Sequence, residues 1–239
     1  DAELKKFHSK AAEYYLESLQ ISSQMEAIHH LLYAGRADSA AELMALKAEK
    51  LLKGGNMEFL ARILTILLSR DIHINPEERA LFLYTQGTAL AFIGEVDSAL
   101  ENFNRSVELM VNKDNPIWVK SKLGIAKIML TRNKYEDSEV LFREVLEWAR
   151  IRKDFETEAE ANYRLGAIYE RLGVPEQALR HFKSAWNLSL QLNDKNQLAQ
   201  ASWGIGRIYH VGLKFEKALK SKNEALDIAF KSGNNHLAS

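Results

Sequence analysis

The stretch NYRLGAIYERLGVPEQALRHFKSA, residues 162–185, contains the pattern that decides the fold. Apolar residues recur at three- and four-residue steps on both sides of GVPE, which is typical of two amphipathic helices joined by a turn. Pro175 suits the first turn of the second helix. Gly166 in the first helix and Ala178 in the second are small enough for the helices to cross closely, and Phe182 follows one turn later. The stretch therefore predicts a helical hairpin.

Three further stretches repeat this pattern at an almost constant spacing. They read YTQGTALAFIGEVDSALENFNRS, KLGIAKIMLTRNKYEDSEVLFREV and WGIGRIYHVGLKFEKALKSKNEA. The small residues of the second helices fall 39, 40 and 40 residues apart, at Ala99, Ser138, Ala178 and Ala218. The same steps separate the small residues of the first helices, Gly87, Ala126, Gly166 and Gly206. An aromatic residue lies four positions after the small residue of the second helix in three repeats, whereas Lys222 takes that position in the fourth. The spacing predicts four helical repeats over residues 76–239.

These repeats resemble the tetratricopeptide repeat over about residues 78–236. The match is fullest in the third repeat, where the family pattern is carried by Leu165, Gly166, Tyr169, Gly173, Ala178, Phe182 and Ala185. A typical repeat of the family has about 34 residues, so this chain resembles the branch with longer repeats. The additional residues are expected at the end of the second helix and in loops such as NKDNP, RKDFE and NDKNQ. The resemblance implies an all-α fold, a right-handed α-solenoid of antiparallel helix pairs.

The two glycines in ASWGIGRIYHVG, residues 201–212, invite comparison with a phosphate-binding loop. Such a loop follows a strand and opens a helix, because it directs backbone N–H groups at phosphate oxygens. The preceding residues DKNQLAQ favour a helix, and no Lys-Ser or Lys-Thr pair follows. Gly206 is therefore interpreted as the residue that lets a partner helix approach, with Gly204 about half a turn earlier.

Residues 1–75 are predicted to form degenerate helical hairpins that are continuous with the solenoid. The helical stretches HSKAAEYYLESL, QMEAIHHLLYAG, ADSAAELMALKAEKLLKGG and MEFLARILTILLSR do not keep the repeat spacing, although Ala40 occupies a close-packing position. This arrangement is similar to the region after the ATPase core in archaeal signal-transducing ATPases of the STAND type. The resemblance implies the sensor or interaction region of a larger switch. The nucleotide-binding motif GxxxxGK[ST] of such ATPases does not occur in these residues.

The composition excludes several classes of partner. Thirty-two basic and thirty-two acidic residues balance, so bulk charge draws the chain neither to nucleic acid nor to a membrane. No cysteine is present, which suits a cytoplasmic location and excludes thiolate metal sites. Apolar runs such as FLARILTILL are too short for a membrane span. The chain begins without Met and ends at GNNHLAS, which we interpret as a fragment of a longer protein whose oligomeric state the sequence leaves open.

No catalytic residue, metal site or cofactor is predicted, and the chain is not expected to be an enzyme. His29 and His30 are adjacent, which separates their rings by about 100° on a helix and argues against a shared metal. The acidic residues of FETEAEA are interpreted as a solvated helix start, because alternate helix positions diverge. The run KFEKALKSK is interpreted as a solvated helix face.

The predicted binding surface is the concave face, which the first helices of successive repeats line in a solenoid of this kind. Counting from the small residue of each first helix, the positions on that face include Tyr84, Thr88, Lys120, Lys127, Tyr163, Glu170, Trp203, Arg207 and His210. Aromatic residues and arginine are common in binding hot spots. Two interpretations stay open. Either these residues anchor a partner, or the aromatic rings fill gaps between helices and the charges only solvate the face.

The predicted function is a non-catalytic protein- or ligand-binding solenoid, serving as the sensor or interaction region of a larger signalling or regulatory ATPase. A protein or peptide is the expected partner, with a small effector as another. The alternative is a free-standing adaptor or a self-associating structural scaffold. The face does not match the lysine and asparagine clamp with which chaperone-binding relatives hold a terminal carboxylate.

Overall fold

The computed structural model describes residues 2–70, 72 and 74–232, and this part of the chain contains twelve helices and no strand. The first six helices are α1 (Ala2–Leu16), α2 (Ile21–Tyr33), α3 (Ala37–Gly54), α4 (Met57–Ser69), α5 (Pro76–Phe92) and α6 (Val96–Leu109). The other six are α7 (Pro116–Thr131), α8 (Tyr135–Arg152), α9 (Phe155–Arg171), α10 (Pro175–Leu192), α11 (Lys195–Val211) and α12 (Phe215–Ser232). The predicted all-α class is confirmed.

The chain divides into two compact units, residues 1–125 and residues 126–239, which we call the N-terminal and C-terminal units. The division lies within α7. The boundary predicted at residue 75 coincides with the start of α5 at Pro76, where Asn75 forms a capping box with Glu78. That this boundary separates degenerate hairpins from true repeats stays a prediction. No helix in the described part of the chain has the length and apolarity needed to cross a bilayer.

The N-terminal unit contains one apolar core that includes side chains from α1 to α5. Its largest fully buried members are Phe82, Met25, Ile28, Leu31, Leu32, Met44, Leu51, Leu60, Ile63 and Leu64. The apolar run that the sequence placed near residue 60 forms α4, which starts where the side chain of Asn56 accepts a hydrogen bond from the Phe59 amide at 3.0 Å. Ala40 is fully buried, as its predicted close-packing position requires.

The four predicted repeats correspond to the helix pairs α5–α6, α7–α8, α9–α10 and α11–α12. Each pair turns at a residue with positive φ: Gly94, Asn133, Gly173 and Leu213, with φ of 91°, 58°, 71° and 55°. Glycine and asparagine adopt this left-handed conformation at low cost, whereas a branched residue such as Leu213 does not. Pro175 is the first residue of α10, as the sequence predicts.

An aromatic ring on the second helix of a repeat packs between the first helix of the same repeat and the first helix of the next repeat. In the C-terminal unit, Phe182 of α10 is fully buried between Gly166 of α9 and Gly204 of α11. A Cβ atom on either glycine would lie 2.7 Å from the ring of Phe182, which is closer than packed carbon atoms approach. Phe103 is enclosed by Gly87 and Gly124 in the same way in the N-terminal unit. In the first and third repeats the ring therefore requires a glycine in its own first helix and another in the next first helix.

Ser138 occupies the small-residue position that alanine takes in the other three repeats. Its side chain is fully buried, and its hydroxyl donates a hydrogen bond to the carbonyl oxygen of Ala126 at 2.9 Å. A buried hydroxyl would be unfavourable without such a partner. Serine is therefore accepted here because it is nearly as small as alanine and because the facing helix supplies an acceptor.

Candidate functional site

The predicted binding residues all lie on the first helices α5, α7, α9 and α11. The N-terminal unit contains Tyr84, Thr88 and Lys120. The C-terminal unit contains Lys127, Tyr163, Glu170, Trp203, Arg207 and His210.

In the N-terminal unit, Tyr84 and Thr88 are half-buried on α5 and Lys120 is exposed on α7. The ring of Tyr84 lies 6.1 Å from that of Phe103, and the Thr88 hydroxyl donates to the Tyr84 carbonyl at 2.9 Å. Thr88 also lines an open groove of about 860 Å³ between the end of α5 and the loop from α3 to α4. Phe92, on the same groove, is 77% exposed. The groove gives this part of the predicted face an apolar edge.

In the C-terminal unit, an ion pair joins the first helices of the second and third repeats. The Lys127 ammonium lies 2.7 Å from the Glu160 carboxylate, and the Arg164 guanidinium lies 3.5 Å from the same oxygen. Burial acts to raise the pKa of Glu160, but the two cations outweigh it and hold the pKa below its ordinary value of 4.5. Glu160 is therefore ionised at neutral pH, and Lys127 is already paired.

A second ion pair joins the third and fourth repeats. Arg207 of α11 donates from Nε to Glu170 Oε1 at 2.8 Å and from its terminal nitrogen to Oε2 at 2.6 Å. This two-pronged geometry fixes the guanidinium plane. A guanidinium has five N–H donors, so three remain after these two bonds. Arg207 is therefore oriented by Glu170 and retains donors for a further acceptor.

The two aromatic residues of this face are both half-buried. Tyr163 packs against Phe182 with ring centroids 5.7 Å apart, and the guanidinium of Arg164 lies 5.6 Å from the Tyr163 ring. The ammonium of Lys222 lies 5.2 Å from the ring centroid of Trp203, a distance at which cation–π attraction operates. The rings therefore take part in packing and also keep an accessible surface. That they anchor a partner stays a prediction.

His210 lies at the end of this row of residues. It is exposed, and its ring meets that of Phe215 edge-on at 5.7 Å.

The sequence interpretation missed Arg164 and Lys222. Arg164 lies four residues after Glu160, which is the helical spacing of ion pairs and could have indicated it. Lys222 was noticed only as a departure from the repeat pattern. Its aliphatic part packs beside Gly206, where a Cβ atom would lie 2.8 Å from Lys222 Cγ. The long side chain thus fills the position of the missing aromatic ring and brings its charge to Trp203.

The interpretation of FETEAEA as a solvated helix start is correct for Glu156 alone, which is exposed. Glu158 is 15% exposed and pairs with Arg150 of α8 at 3.0 Å. Glu160 pairs with Lys127, as described above. Both residues point toward neighbouring helices, because the helix start is packed between repeats and only one of its faces meets solvent.

The adjacent histidines lie closer to a common point than the sequence argument allowed. One ligand atom each from Glu26, His29 and His30 lies within 4.8 Å of the others. The two rings diverge from the helix axis, but rotation about the side-chain bonds brings their nitrogens together. Burial lowers the pKa of His29 and of His30 below the ordinary value of 6.5.

The comparisons with known proteins support the tetratricopeptide resemblance. Residues 157–229 match the family model described as tetratricopeptide repeat. Tetratricopeptide repeat protein 29 of Trypanosoma brucei brucei (strain 927/4 GUTat10.1) is 24% identical over 142 residues, which is 56% of this chain. The chain spans 30% of the length of that relative.

Solved structures resemble the chain in fold. The apo form of RapI aligns with a TM-score of 0.73 and 14% identity, over 82% of this chain and 72% of RapI. The Rap conjugation gene regulator of plasmid pLS20, in complex with the Phr* peptide, aligns with a TM-score of 0.65 and 18% identity. That alignment covers 88% of this chain and 57% of the regulator. At these identities the likeness concerns the fold alone, which is a tetratricopeptide-like solenoid.

Proposed function

We propose that this chain is a non-catalytic binding module that recognises a protein or peptide on the first-helix face of the C-terminal unit. One observation carries the proposal: Trp203 and Arg207 lie one turn apart on α11, half-exposed, each held in place by a neighbouring charged side chain. Side chains fixed before binding lose little conformational entropy when a partner arrives. Tryptophan and arginine are also the residues that most often dominate binding energy.

The chemistry of this face favours a partner with acidic and aromatic groups. Arg207 keeps three N–H donors for a carboxylate of the partner, while Glu170 keeps the guanidinium plane in position. Lys222 and Arg164 add positive charge beside Trp203 and Tyr163. We propose that an aromatic side chain of the partner packs on Trp203 and that an adjacent carboxylate binds Arg207.

The comparisons support a peptide as partner by analogy. The pLS20 regulator was solved with the Phr* peptide and shares the fold, although not the sequence, of this chain. Solenoids of helix pairs present extended surfaces suited to a peptide or a protein segment. In the proposed context the module is the sensor of a larger cytoplasmic signalling ATPase of the STAND type. A free-standing adaptor is the alternative.

The test begins with selection of peptides from a random library displayed on phage, using the purified chain as bait. We expect the selected peptides to be rich in aromatic residues and in Asp or Glu. The dissociation constant of one labelled peptide is then measured by fluorescence anisotropy. Replacing Trp203 or Arg207 with Ala should cost about 2 kcal/mol each, which is roughly 30-fold in affinity. Arg207→Lys should also weaken binding, because lysine lacks the two-pronged contact with Glu170.

The matched control is Lys183→Ala on α10, a second helix, which should leave the affinity unchanged. If the Trp203→Ala, Arg207→Ala double variant is folded by circular dichroism and binds as tightly as the parent, the proposed surface is wrong. If no peptide is selected and light scattering shows concentration-dependent assembly of the chain alone, the structural scaffold replaces the binding module.

A further inference from the structure

Three histidines and a glutamate meet in the N-terminal unit, far along the sequence from the proposed binding face. His8 lies on α1, and Glu26, His29 and His30 lie on α2. The ring centroids of His8 and His30 are 4.9 Å apart, and those of His29 and His30 are 5.3 Å apart. Two packed helices therefore direct three imidazoles into one small volume.

Three ligand atoms of this cluster, one each from Glu26, His29 and His30, lie within 4.8 Å of one another, which approaches the spacing of a metal site. Bonds of about 2.0–2.2 Å in a tetrahedral arrangement place neighbouring ligand atoms about 3.3 Å apart. Here His29 Nδ1 lies 3.9 Å from Glu26 Oε2, and His8 Nδ1 lies 2.7 Å from His30 Nδ1. One separation is slightly wider and the other slightly narrower than the tetrahedral value.

In the described part of the chain, one nitrogen of the cluster lacks a hydrogen-bond partner, and two others are hydrogen-bonded only to each other. His29 Nδ1 is buried and has no hydrogen-bond partner among the described residues. His8 Nδ1 and His30 Nδ1 face each other, so at most one of them carries a hydrogen and the other presents a lone pair. Buried polar atoms are normally paired, and an unpaired one requires an explanation. A cation bound between these nitrogens would satisfy all three.

We propose that Glu26, His29, His30 and His8 form a binding site for a divalent transition-metal ion of the zinc type. Imidazole nitrogens with one carboxylate oxygen suit Zn²⁺, and four such ligands complete a tetrahedral shell. Ions that prefer all-oxygen shells, such as Mg²⁺ and Ca²⁺, are disfavoured by the three nitrogens.

The surroundings hold the rings in orientation. Tyr15 stacks on His30 with an interplanar angle of 7°, and Tyr33 and Phe59 pack against His29 at 4.7 and 5.5 Å. Arg62, which lies 5.5 Å from the ring centroid of Phe59, is the cation that opposes metal binding here. The carboxylate of Glu26 offsets it. The site therefore has rigid ligands and one unfavourable charge nearby.

Metal binding would fasten α1 to α2. Ala12 is the single fully buried residue among those described in α1, so few apolar contacts hold that helix. A ligand from each helix on one ion would supply a cross-link that the core does not. Metal binding would therefore add to the stability of the contact between α1 and α2, which Ala12 already supports.

The experiment is a titration of the chain, purified without a histidine tag, with CoCl₂ followed by visible absorption, and then displacement of Co²⁺ by ZnCl₂. We expect one equivalent of Co²⁺ with a tetrahedral-type spectrum that Zn²⁺ abolishes. His29→Gln, His30→Gln and Glu26→Gln should each weaken binding about tenfold or more, and His8→Gln should do so if α1 supplies the fourth ligand. Addition of ZnCl₂ should also raise the melting temperature of the parent chain.

The matched control is His210→Gln, an exposed histidine on α11 in the other unit, which should bind like the parent. The absence of a one-to-one Co²⁺ complex in the parent chain would overturn the proposal, and this result does not depend on any variant folding. Equal binding by the His29→Gln, His30→Gln double variant and by the parent would also overturn it. Unchanged binding by His8→Gln alone would overturn the fastening of α1.

Discussion

The third and fourth repeats fill the same position with different side chains. In the third repeat Phe182 is fully buried against Gly166, whereas in the fourth Lys222 lies half-buried beside Gly206. The backbone arrangement is the same, since both glycines approach the second helix at the same point of the repeat. The same position of the second helix can therefore hold either a core residue or a residue that reaches the surface. An aromatic ring there contributes apolar burial, and a lysine there carries its charge to Trp203.

The largest expected effect compares truncation at these two positions. Phe182→Ala should lower the free energy of unfolding by about 3–5 kcal/mol, because it leaves a cavity between α9, α10 and α11. Lys222→Ala should lower it by about 1 kcal/mol or less, the value of one cation–π contact. Urea unfolding followed by circular dichroism measures both. Equal losses would contradict the distinction between a core and a surface position.

The next effect compares enlargement of the facing glycines. Gly166→Leu should destabilise the chain by about 1–3 kcal/mol or more, since the buried ring of Phe182 has no room to retreat. Gly206→Leu should cost less, because the side chain of Lys222 can turn toward solvent, although the Ala218 carbonyl oxygen would still lie 3.3 Å from the new Cβ atom. Melting temperatures of the two variants test this order. An unchanged melting temperature for Gly166→Leu would show that the repeat register is wrong.

The smallest expected effect is on the pH dependence of stability. It arises from one position at which the third and fourth repeats differ. His181 of the third repeat corresponds to Ser221 of the fourth. Burial, reinforced by the positive charge of Arg143, lowers the pKa of His181 to about 4. The unfolded chain therefore binds a proton between pH 6.5 and about 4 that the folded chain does not, and stability is lost as the pH falls through this window.

Replacing His181 with Gln should make the unfolding midpoint less sensitive to pH within that window. Ser221→Ala, at the corresponding position of the fourth repeat, removes no titratable group and should keep the pH dependence of the parent. The measurement is a series of urea titrations at several pH values. A parent chain and a His181→Gln variant with the same pH dependence would show that His181 does not resist protonation in the folded state.

The repeats could be predicted from the sequence because their signals are local or periodic. A small residue every 39 or 40 positions, an aromatic residue one turn later and a turn residue between helices are visible without any structure. The start of α10 followed from Pro175 in the same way. The assignment of the binding residues to first helices followed from the register. That these residues bind a partner stays a prediction.

The tertiary structure alone decided which side chains meet. Arg207 binds Glu170, a residue 37 positions away, and His8 approaches His30 across 22 positions. The two residues of each pair lie on different helices, so the apolar periodicity of a single helix does not indicate their contact. The roles of Gly124 and Gly204 were missed for the same reason, because each makes room for a ring that belongs to the preceding repeat.

Local signals along the chain are thus enough to predict the helices, their pairing and the face that each helix buries, since backbone hydrogen bonds and apolar periodicity act between near neighbours. The tertiary structure decided the ion pairs, the position of Lys222 over Trp203 and the meeting of the histidines. These depend on the crossing of helices and on side-chain rotamers, which are set by packing against residues distant in the sequence.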